Sequence, residues 1–190
     1  SKKIREITGR SYKEIFKSNI YGIDIQEYSI TRTKILLLLL AVSENEDEEE
    51  FCFNLYTGNT LNFDWKSKIP EFRGFNCIVG NPPYIRYRNL DHYTRCLLKN
   101  WEVCGSGLTD LYIPFFQIGI ENLCENGILG YITMNSFFKS LNGRALREYI
   151  QKSKFYLEIY DFGSEQIFKS RSTYTCICFV QNIKDKEVHY

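Results

Sequence analysis

The sequence predicts an α/β fold with a doubly wound, mostly parallel sheet and one antiparallel edge strand. Three observations predict it. Short apolar runs alternate with segments of helical periodicity, as expected when a crossover helix joins each strand to the next. The run Phe75 to Gly80 is continuously apolar apart from Asn76, which is typical of a strand buried in a parallel sheet. The last two runs, 156–162 and 173–180, follow each other without a helix between them.

The first third of the chain contains two predicted helices and two predicted strands. Their order is helix 2–18, strand 20–25, helix 26–42 and strand 51–56. The predicted buried face of the first helix consists of Ile4, Ile7, Ile15 and Phe16. The acidic stretch 44–50 is predicted to be a solvated loop, and Gly58-Asn59 to be a turn.

The rest of the chain continues the alternation. Its predicted order is strand 75–80, helix 91–100, helix 110–125, strand 128–134, helix 137–151 and the two closing strands. The helix over 110–125 is amphipathic, and we expect Asn126-Gly127 to end it because these residue types favour helix ends.

Composition indicates a globular protein of about one domain. The chain has 190 residues, of which 44% are hydrophobic and 16% aromatic. With 24 basic and 23 acidic residues, the net charge is +1. This balance gives no basic footprint, so strong autonomous binding of nucleic acid is not implied.

Cysteine usage and hydropathy bear on location and partners. The seven cysteines are odd in number and contain no C-x-x-C pair, which favours free thiols in a reducing cytoplasm and no metal site. Most lie in apolar contexts and are predicted to be small core residues. The longest apolar run, Ile35 to Val42, is too short to cross a bilayer, so no membrane partner is predicted.

The most informative motif is Asn81-Pro82-Pro83-Tyr84 after the strand 75–80. Two consecutive prolines forbid helix, so the chain leaves the strand in a stiff, extended turn. Such a turn holds the Asn81 carboxamide and the Pro82 carbonyl as fixed acceptors at the carboxyl end of a strand, where α/β proteins bind ligands. These acceptors, with a nearby aromatic ring, suit a planar amine such as adenine. The alternative is a proline-stiffened surface turn without chemistry.

The order of three motifs resembles the adenine-N6 DNA methyltransferases, most of all those in single-chain type IIG restriction–modification enzymes. The motifs are Tyr21-Gly22-Ile23-Asp24-Ile25, Asn81-Pro82-Pro83-Tyr84, and Asp110-Leu111-Tyr112 with Phe115. The resemblance covers about residues 15 to 182, which is nearly the whole chain. The N-P-P-Y motif alone is shared with other amine and amide methyltransferases. The resemblance implies a class I, Rossmann-like methyltransferase fold that depends on S-adenosylmethionine.

The resemblance also implies a set of cofactor-binding residues. Asp24 matches the acidic residue that holds the ribose of S-adenosylmethionine, with Ile25 beside it. Asn59 stands where the family has an Asp that contacts the cofactor adenine. Asn81 and Phe115 match further residues near the cofactor. A helix cap is the alternative role for Asp24, and a plain turn is the alternative for Asn59.

The catalytic residues implied are the four of the N-P-P-Y motif. The Asn81 oxygen and the Pro82 carbonyl can accept both hydrogens of an adenine amino group, which favours a pyramidal nitrogen with its lone pair facing the methyl group. Pro83 stiffens the turn. Tyr84 would stack on the extruded base, and Phe168 matches the family's second aromatic, on the other face of the base.

Two further segments carry predictions. Arg86 and Arg88 either contact phosphates or form a solvated edge. The segment Cys104-Gly105-Ser106-Gly107 looks like the family's glycine loop, but it follows a poor strand and is predicted to be an ordinary loop. The resemblance then implies that the true glycine loop and its strand lie before Ser1, and that a target-recognition domain lies after Tyr190.

Residues 1–190 are therefore predicted to be a partial methyltransferase catalytic domain that is inactive in isolation. The predicted reaction of its parent is methyl transfer from S-adenosylmethionine to adenine N6 in DNA, within a cytoplasmic restriction–modification system. The expected partners are double-stranded DNA and a fused or separate specificity and nuclease domain. The alternatives are a protein glutamine-N5 methyltransferase, whose substrate nitrogen poses the same problem, or a catalytically silent scaffold in a larger DNA-binding assembly.

Overall fold

The computed structural model describes residues 1–47, 50–105, 107–153, 155–163 and 174–183. The chain forms two compact units, Ser1–Phe63 and Asp64–Tyr190. The helices of the described residues are α1 (Lys2–Thr8), α2 (Tyr12–Ser18), α3 (Glu27–Ser43), α4 (His92–Leu98), α5 (Tyr112–Glu121) and α6 (Arg144–Ser153). The strands are β1 (Tyr21–Asp24), β2 (Asn54–Thr57), β3 (Phe75–Gly80), β4 (Leu123–Met134), β5 (Tyr156–Asp161) and β6 (Thr175–Gln181).

Strand pairing confirms the predicted α/β fold class. In the first unit, β1 pairs with β2 in parallel, and α3 connects the two strands. In the second unit, the strand order is β3-β4-β6-β5, with β3 and β4 parallel. The antiparallel strand is β6, which pairs with both β4 and β5 and so lies next to the edge strand β5.

The predicted helix over 2–18 is wrong in extent, because the chain forms two helices there. Gly9 adopts a left-handed conformation with φ +67° and ends α1, since glycine enters this region without a steric cost. Ser11 and Glu14 then form a capping box that starts α2. As a result, Ile15 and Phe16 are fully buried as predicted, whereas Ile7 is 74% exposed.

The acidic stretch is not simply a solvated loop. One Glu46 carboxylate oxygen accepts a hydrogen bond from the Tyr12 backbone N–H at 2.6 Å, and the other pairs with Arg5 at 2.9 Å. Glu44 forms an ion pair with Lys2. These carboxylates therefore tie the end of α3 to α1 and α2.

The core of the second unit lies between α5, α6 and the four-stranded sheet. The buried residues are Val103, Tyr112, Ile113, Phe116, Ile120, Leu123, Leu129, Tyr131, Phe137, Leu146, Ile150, Cys176, Cys178 and Val180. Among them, Phe116 packs edge-on against Tyr131 at 5.5 Å between ring centroids. Because α5 is buried along nearly its whole length, the prediction that it has a polar face is wrong.

The predicted end of the α5 helix and start of the next strand are also wrong. The helix ends at Glu121, and β4 begins at Leu123 because Phe75 of β3 donates a hydrogen bond to the Asn122 carbonyl and pairs with Leu123. The Asn126-Gly127 pair lies inside β4, where the pairing register shifts and Asn126 has φ +61°. Farther along, the predicted helix over 137–151 begins only at Arg144, after a 3-10 turn at Asn135–Phe138.

Burial of β3 and of several cysteines differs from the prediction. Val79 is 78% exposed, because in the described part of the chain β3 pairs only with β4. All seven cysteines are free thiols. The buried ones are Cys176 and Cys178, whereas Cys52, Cys77 and Cys96 are exposed and not core residues.

The described ranges contain neither a membrane-spanning helix nor a cluster of metal-ligating side chains. No helix in them is both long and apolar enough to cross a membrane. No group of three or more His, Cys, Asp or Glu side chains in the same ranges is placed to hold a metal ion.

The burial of Tyr112 in this core can be tested by measuring the stability of the protein at alkaline pH. Burial raises the pKa of Tyr112 to about 12, from an ordinary value near 10. Between these values the unfolded chain ionises this group and the folded chain does not, so the free energy of unfolding should fall as pH rises from about 10 to 12. Below pH 10 this contribution is constant. Urea unfolding across this range measures this fall. In Tyr112→Phe the slope of the unfolding free energy against pH should be shallower by the equivalent of about one proton. Equal slopes in the two proteins would contradict the raised pKa of Tyr112.

Candidate active site

The Asn81-Pro82-Pro83-Tyr84 segment lies at the carboxyl end of β3, as predicted. Asn81 is exposed and Pro82 is buried. The Pro83 carbonyl accepts a hydrogen bond from the Ile85 N–H at 3.0 Å, which closes a tight turn after the motif. Within the described residues, neither the Asn81 carboxamide nor the Pro82 carbonyl has a hydrogen-bond partner. Within these residues, two neighbouring acceptors therefore stand unpaired at the end of this strand.

Tyr84 is fixed at both ends of its side chain. The half-buried ring packs against the core of the second unit, and the hydroxyl donates a hydrogen bond to the Ile132 carbonyl at 3.2 Å. Burial raises the pKa of Tyr84 to about 12, so the hydroxyl stays a neutral donor at neutral pH. The ring orientation is therefore set before any ligand binds.

The start of α5 holds the turn in place. The Asp110 side chain accepts a hydrogen bond from the Tyr87 N–H at 3.0 Å, and the Leu111 N–H donates to the Ile85 carbonyl at 2.9 Å. Sequence reasoning noted Asp110-Leu111-Tyr112 only as a family motif and missed this positioning role. The available signal was an acidic residue two positions before the first residue of a helix, since acidic residues near helix starts commonly accept backbone hydrogen bonds.

The next residues of α5 face the core. The Tyr112 hydroxyl forms a hydrogen bond with the Ser136 hydroxyl at 3.1 Å. The partly buried Phe115 side chain packs against the same core, and its carbonyl accepts a hydrogen bond from the Tyr131 hydroxyl at 3.3 Å. The contact of Phe115 with a cofactor stays a prediction.

In the first unit, the predicted cofactor residues Asp24 and Asn59 lie at the carboxyl end of the parallel β1–β2 pair. Asp24 ends β1, and its carbonyl accepts a hydrogen bond from the Gly58 N–H at 2.9 Å, directly before Asn59. The Asp24 side chain accepts the Gln26 N–H with one oxygen, at 2.7 Å. Its second oxygen has no partner among the described residues. Asp24 thus supports the start of α3 and keeps one acceptor free.

Asn59 and Ile25, at the same end of the strand pair, differ in the groups that they present to a ligand. The Asn59 oxygen accepts a hydrogen bond from the Leu61 N–H at 3.0 Å, which is the turn role weighed against cofactor binding. Ile25 is 63% exposed directly after β1 and presents apolar surface there. Three cofactor contacts stay predictions: that of Asp24 with the ribose, that of Ile25 with an apolar surface, and that of Asn59 with the adenine.

Two other predictions concern the glycine-containing segment that begins at Cys104 and the aromatic residue Phe168. The Cys104-Gly105 segment follows a 3-10 turn at Glu102–Cys104 and not a strand, in agreement with its prediction as an ordinary loop. Burial raises the pKa of Cys104 to about 12, which keeps this thiol protonated and unreactive. Phe168, the predicted second stacking residue, lies outside the described residues.

Comparison with known proteins identifies the family. The chain is 36% identical over 118 residues to the Escherichia coli protein named type II restriction enzyme and methyltransferase RM.Eco57I. That match covers 60% of this chain but only 11% of the relative. The family model for the Eco57I restriction-modification methylase matches residues 18–168, which is most of the chain. The chain belongs to the Eco57I restriction-modification methylase family.

Solved structures similar to this family member support the same fold. A nuclease-deletion mutant of the Type ISP restriction-modification enzyme LlaGI, in complex with a DNA substrate mimic, matches with a TM-score of 0.74 at 16% identity. It covers 98% of this chain and 19% of that one. A Listeria monocytogenes structure described as a class I S-adenosylmethionine-dependent methyltransferase matches with a TM-score of 0.60 at 18% identity, covering 88% and 47%. The predicted class I methyltransferase fold is therefore confirmed.

Proposed function

We propose that this chain is the catalytic part of a longer restriction–modification enzyme that methylates adenine N6 in DNA, with S-adenosylmethionine as methyl donor. Membership in the Eco57I restriction-modification methylase family supports DNA, and not a protein glutamine, as the substrate. The observation that carries the assignment of an NH2 group as the methyl acceptor is the pair of unpartnered acceptors on Asn81 and Pro82, and the resemblance to the adenine-N6 methyltransferases selects adenine. The chain spans 11% of its Escherichia coli relative, so the rest of the enzyme would contribute specificity and any nuclease.

The residues of the first unit fit S-adenosylmethionine. The free oxygen of Asp24 suits a ribose hydroxyl, because an ionised carboxylate is an acceptor with spare lone pairs. The exposed Ile25 side chain suits the flat face of the cofactor adenine. Asn59 has its amide NH2 to offer, since its oxygen already accepts the Leu61 N–H. When bound, the cofactor supplies an electrophilic methyl group.

The chemistry of the target amine explains why two acceptors are needed. The exocyclic nitrogen of adenine is a poor nucleophile, because its lone pair is delocalised into the ring. The Asn81 oxygen and the Pro82 carbonyl would accept one amino hydrogen each, which draws the lone pair out of conjugation and stabilises the positive charge that develops on nitrogen. The turn is already held by Pro83, Asp110 and Leu111, so little rearrangement is required before reaction.

Tyr84 would bind the target base by stacking. An enzyme that modifies a base in duplex DNA must extrude it from the helix, and an aromatic ring compensates for part of the lost stacking. The Tyr84 ring is held by the Ile132 carbonyl and by the core, so it offers a preformed platform. Phe168 is proposed as the second platform on the opposite face of the base.

Label transfer separates this function from the glutamine alternative. The full-length enzyme is incubated with tritiated S-adenosylmethionine, plasmid DNA and total cellular protein, and the DNA and protein fractions are counted separately. We expect the label in DNA. Label in protein and none in DNA would overturn the proposal.

Removing the Asp110 carboxylate should impair catalysis through the turn. Asp110→Ala leaves the Tyr87 N–H without its acceptor, which costs about 1–3 kcal/mol for an unsatisfied group and loosens the turn after the motif. Asp110→Asn keeps an acceptor oxygen and serves as the matched control. We expect kcat to fall about tenfold or more in Asp110→Ala and to be largely retained in Asp110→Asn. Equal kcat values in the two variants would show that Asp110 does not position the turn.

A further inference from the structure

Residues 85–99, which we term the arginine segment, concentrate positive charge beside the N-P-P-Y motif. The segment contains four basic residues and one acidic residue, Asp91, in a chain whose net charge is only +1. It includes a 3-10 turn at Tyr87–Asn89 and the helix α4. Arg86 lies two residues after Tyr84, so the two Cα atoms are at most about 7 Å apart.

The backbone of the arginine segment is held firmly. Tyr87 donates to Asp110 at 3.0 Å, and the Ile85 carbonyl accepts from Leu111 at 2.9 Å. The Leu90 and Leu98 side chains are buried, with 7% and 3% of their surface exposed. The segment is therefore built as part of the second unit.

Arg95 stabilises the arginine segment itself. The Arg95 guanidinium lies over the Tyr87 ring, 5.1 Å from its centroid, and donates a hydrogen bond to the Arg88 carbonyl at 3.0 Å. The Asp91 carboxylate accepts from the Thr94 N–H and hydroxyl and so caps α4. The single acid of the segment thus caps its own helix and forms no ion pair with a neighbouring arginine in the described residues.

The two other arginines are left free. Arg86 and Arg88 are exposed, and in the described part of the chain neither guanidinium has a hydrogen bond or ion pair. Because Asp110, Leu111 and Arg95 fix the backbone here, binding a ligand would restrict the two arginine side chains but not the backbone that carries them. Guanidinium groups match the geometry of phosphate oxygens.

We propose that Arg86 and Arg88 bind DNA backbone phosphates beside the base pocket, an inference that rests on the proposed function. Phosphate contacts fix the register of a protein on duplex DNA without reading its sequence. Contacts next to Tyr84 would hold the strand from which the base is extruded, and would place that base against Asn81. Because the net charge of the whole chain is only +1, electrostatic attraction to DNA would have to come from local contacts such as these and not from the overall charge.

The salt dependence of DNA binding tests this assignment. Binding of the full-length enzyme to a fluorescent duplex of random sequence is measured by anisotropy over a series of salt concentrations. Each phosphate contact contributes about 0.9 to the slope of log K against log salt, so Arg86→Gln/Arg88→Gln should lower the slope by about 1.8. Arg86→Lys/Arg88→Lys should keep most of the slope, because it keeps the charges.

Lys66 and Lys68 provide the matched control. They are exposed, lie in the same unit and have the same spacing, so Lys66→Gln/Lys68→Gln removes equal charge elsewhere. We expect this control to leave the slope unchanged. An unchanged slope in the arginine variant, or an equal loss in the lysine control, would overturn the inference. Label transfer to DNA by the unsubstituted enzyme tests the proposed function separately, so the two failures are distinguishable.

Discussion

Asn81→Ala should reduce methyl transfer to DNA by about 100-fold or more while leaving the Kd for S-adenosylmethionine largely unchanged. The substitution removes one of the two acceptors at the carboxyl end of β3, and the exposed side chain of Asn81 forms no hydrogen bond within the described residues. Groups that act mainly in the transition state have effects of this size on kcat. Tritium transfer to DNA and calorimetric titration of the cofactor measure the two quantities.

Asn76 offers a matched control for this prediction. It lies on β3, the strand that precedes Asn81, and among the described residues its exposed amide forms a hydrogen bond only to the Cys124 sulfur, at 3.4 Å. Asn76→Ala should therefore retain activity. Undiminished transfer in Asn81→Ala, with active Asn76→Ala beside it, would refute the role given to the carboxamide.

Tyr84→Ala should weaken base extrusion and methylation together. Stacking of a base on an aromatic ring is worth about 1–3 kcal/mol, which corresponds to about a 5- to 150-fold loss. A 2-aminopurine at the target position reports extrusion as a rise in fluorescence. Tyr84→Phe retains the ring and loses only the hydrogen bond to the Ile132 carbonyl, so it should retain the rise.

Thermal melting of the Tyr84 variants controls for folding, because the ring also packs against the core of the second unit. Phe168→Ala is the companion variant for the opposite face of the base. If Tyr84→Ala and Phe168→Ala both leave the fluorescence rise unchanged while the proteins melt normally, the base pocket lies elsewhere.

The elements that the sequence predicted best have strong local signals. The strand β3 lies where predicted, since an apolar run ended by two prolines needs no distant partner to be recognised, and α4 lies within the helix predicted over 91–100. The same holds for β1 and α3. The N-P-P-Y turn could therefore be located from the sequence, at the end of its strand.

The features that the sequence did not predict depend on contacts between distant residues. Glu46 accepts a hydrogen bond from the Tyr12 N–H, 34 positions away, and forms an ion pair with Arg5. These contacts hold part of the acidic run against the first two helices. Burial of β3 depends on how many neighbours it pairs with, which no local pattern in the strand records. The same limit hid the anchoring of the turn by Asp110, whose partner Tyr87 is 23 residues away.

The modified nucleoside itself gives the most direct test of the central claim. DNA treated with the full-length enzyme and S-adenosylmethionine is digested to nucleosides and analysed by mass spectrometry against methylated standards. We predict N6-methyldeoxyadenosine with the native enzyme and none with Asn81→Ala. N4-methyldeoxycytidine in its place, or no methylated nucleoside from an enzyme that binds both DNA and cofactor, would contradict the account.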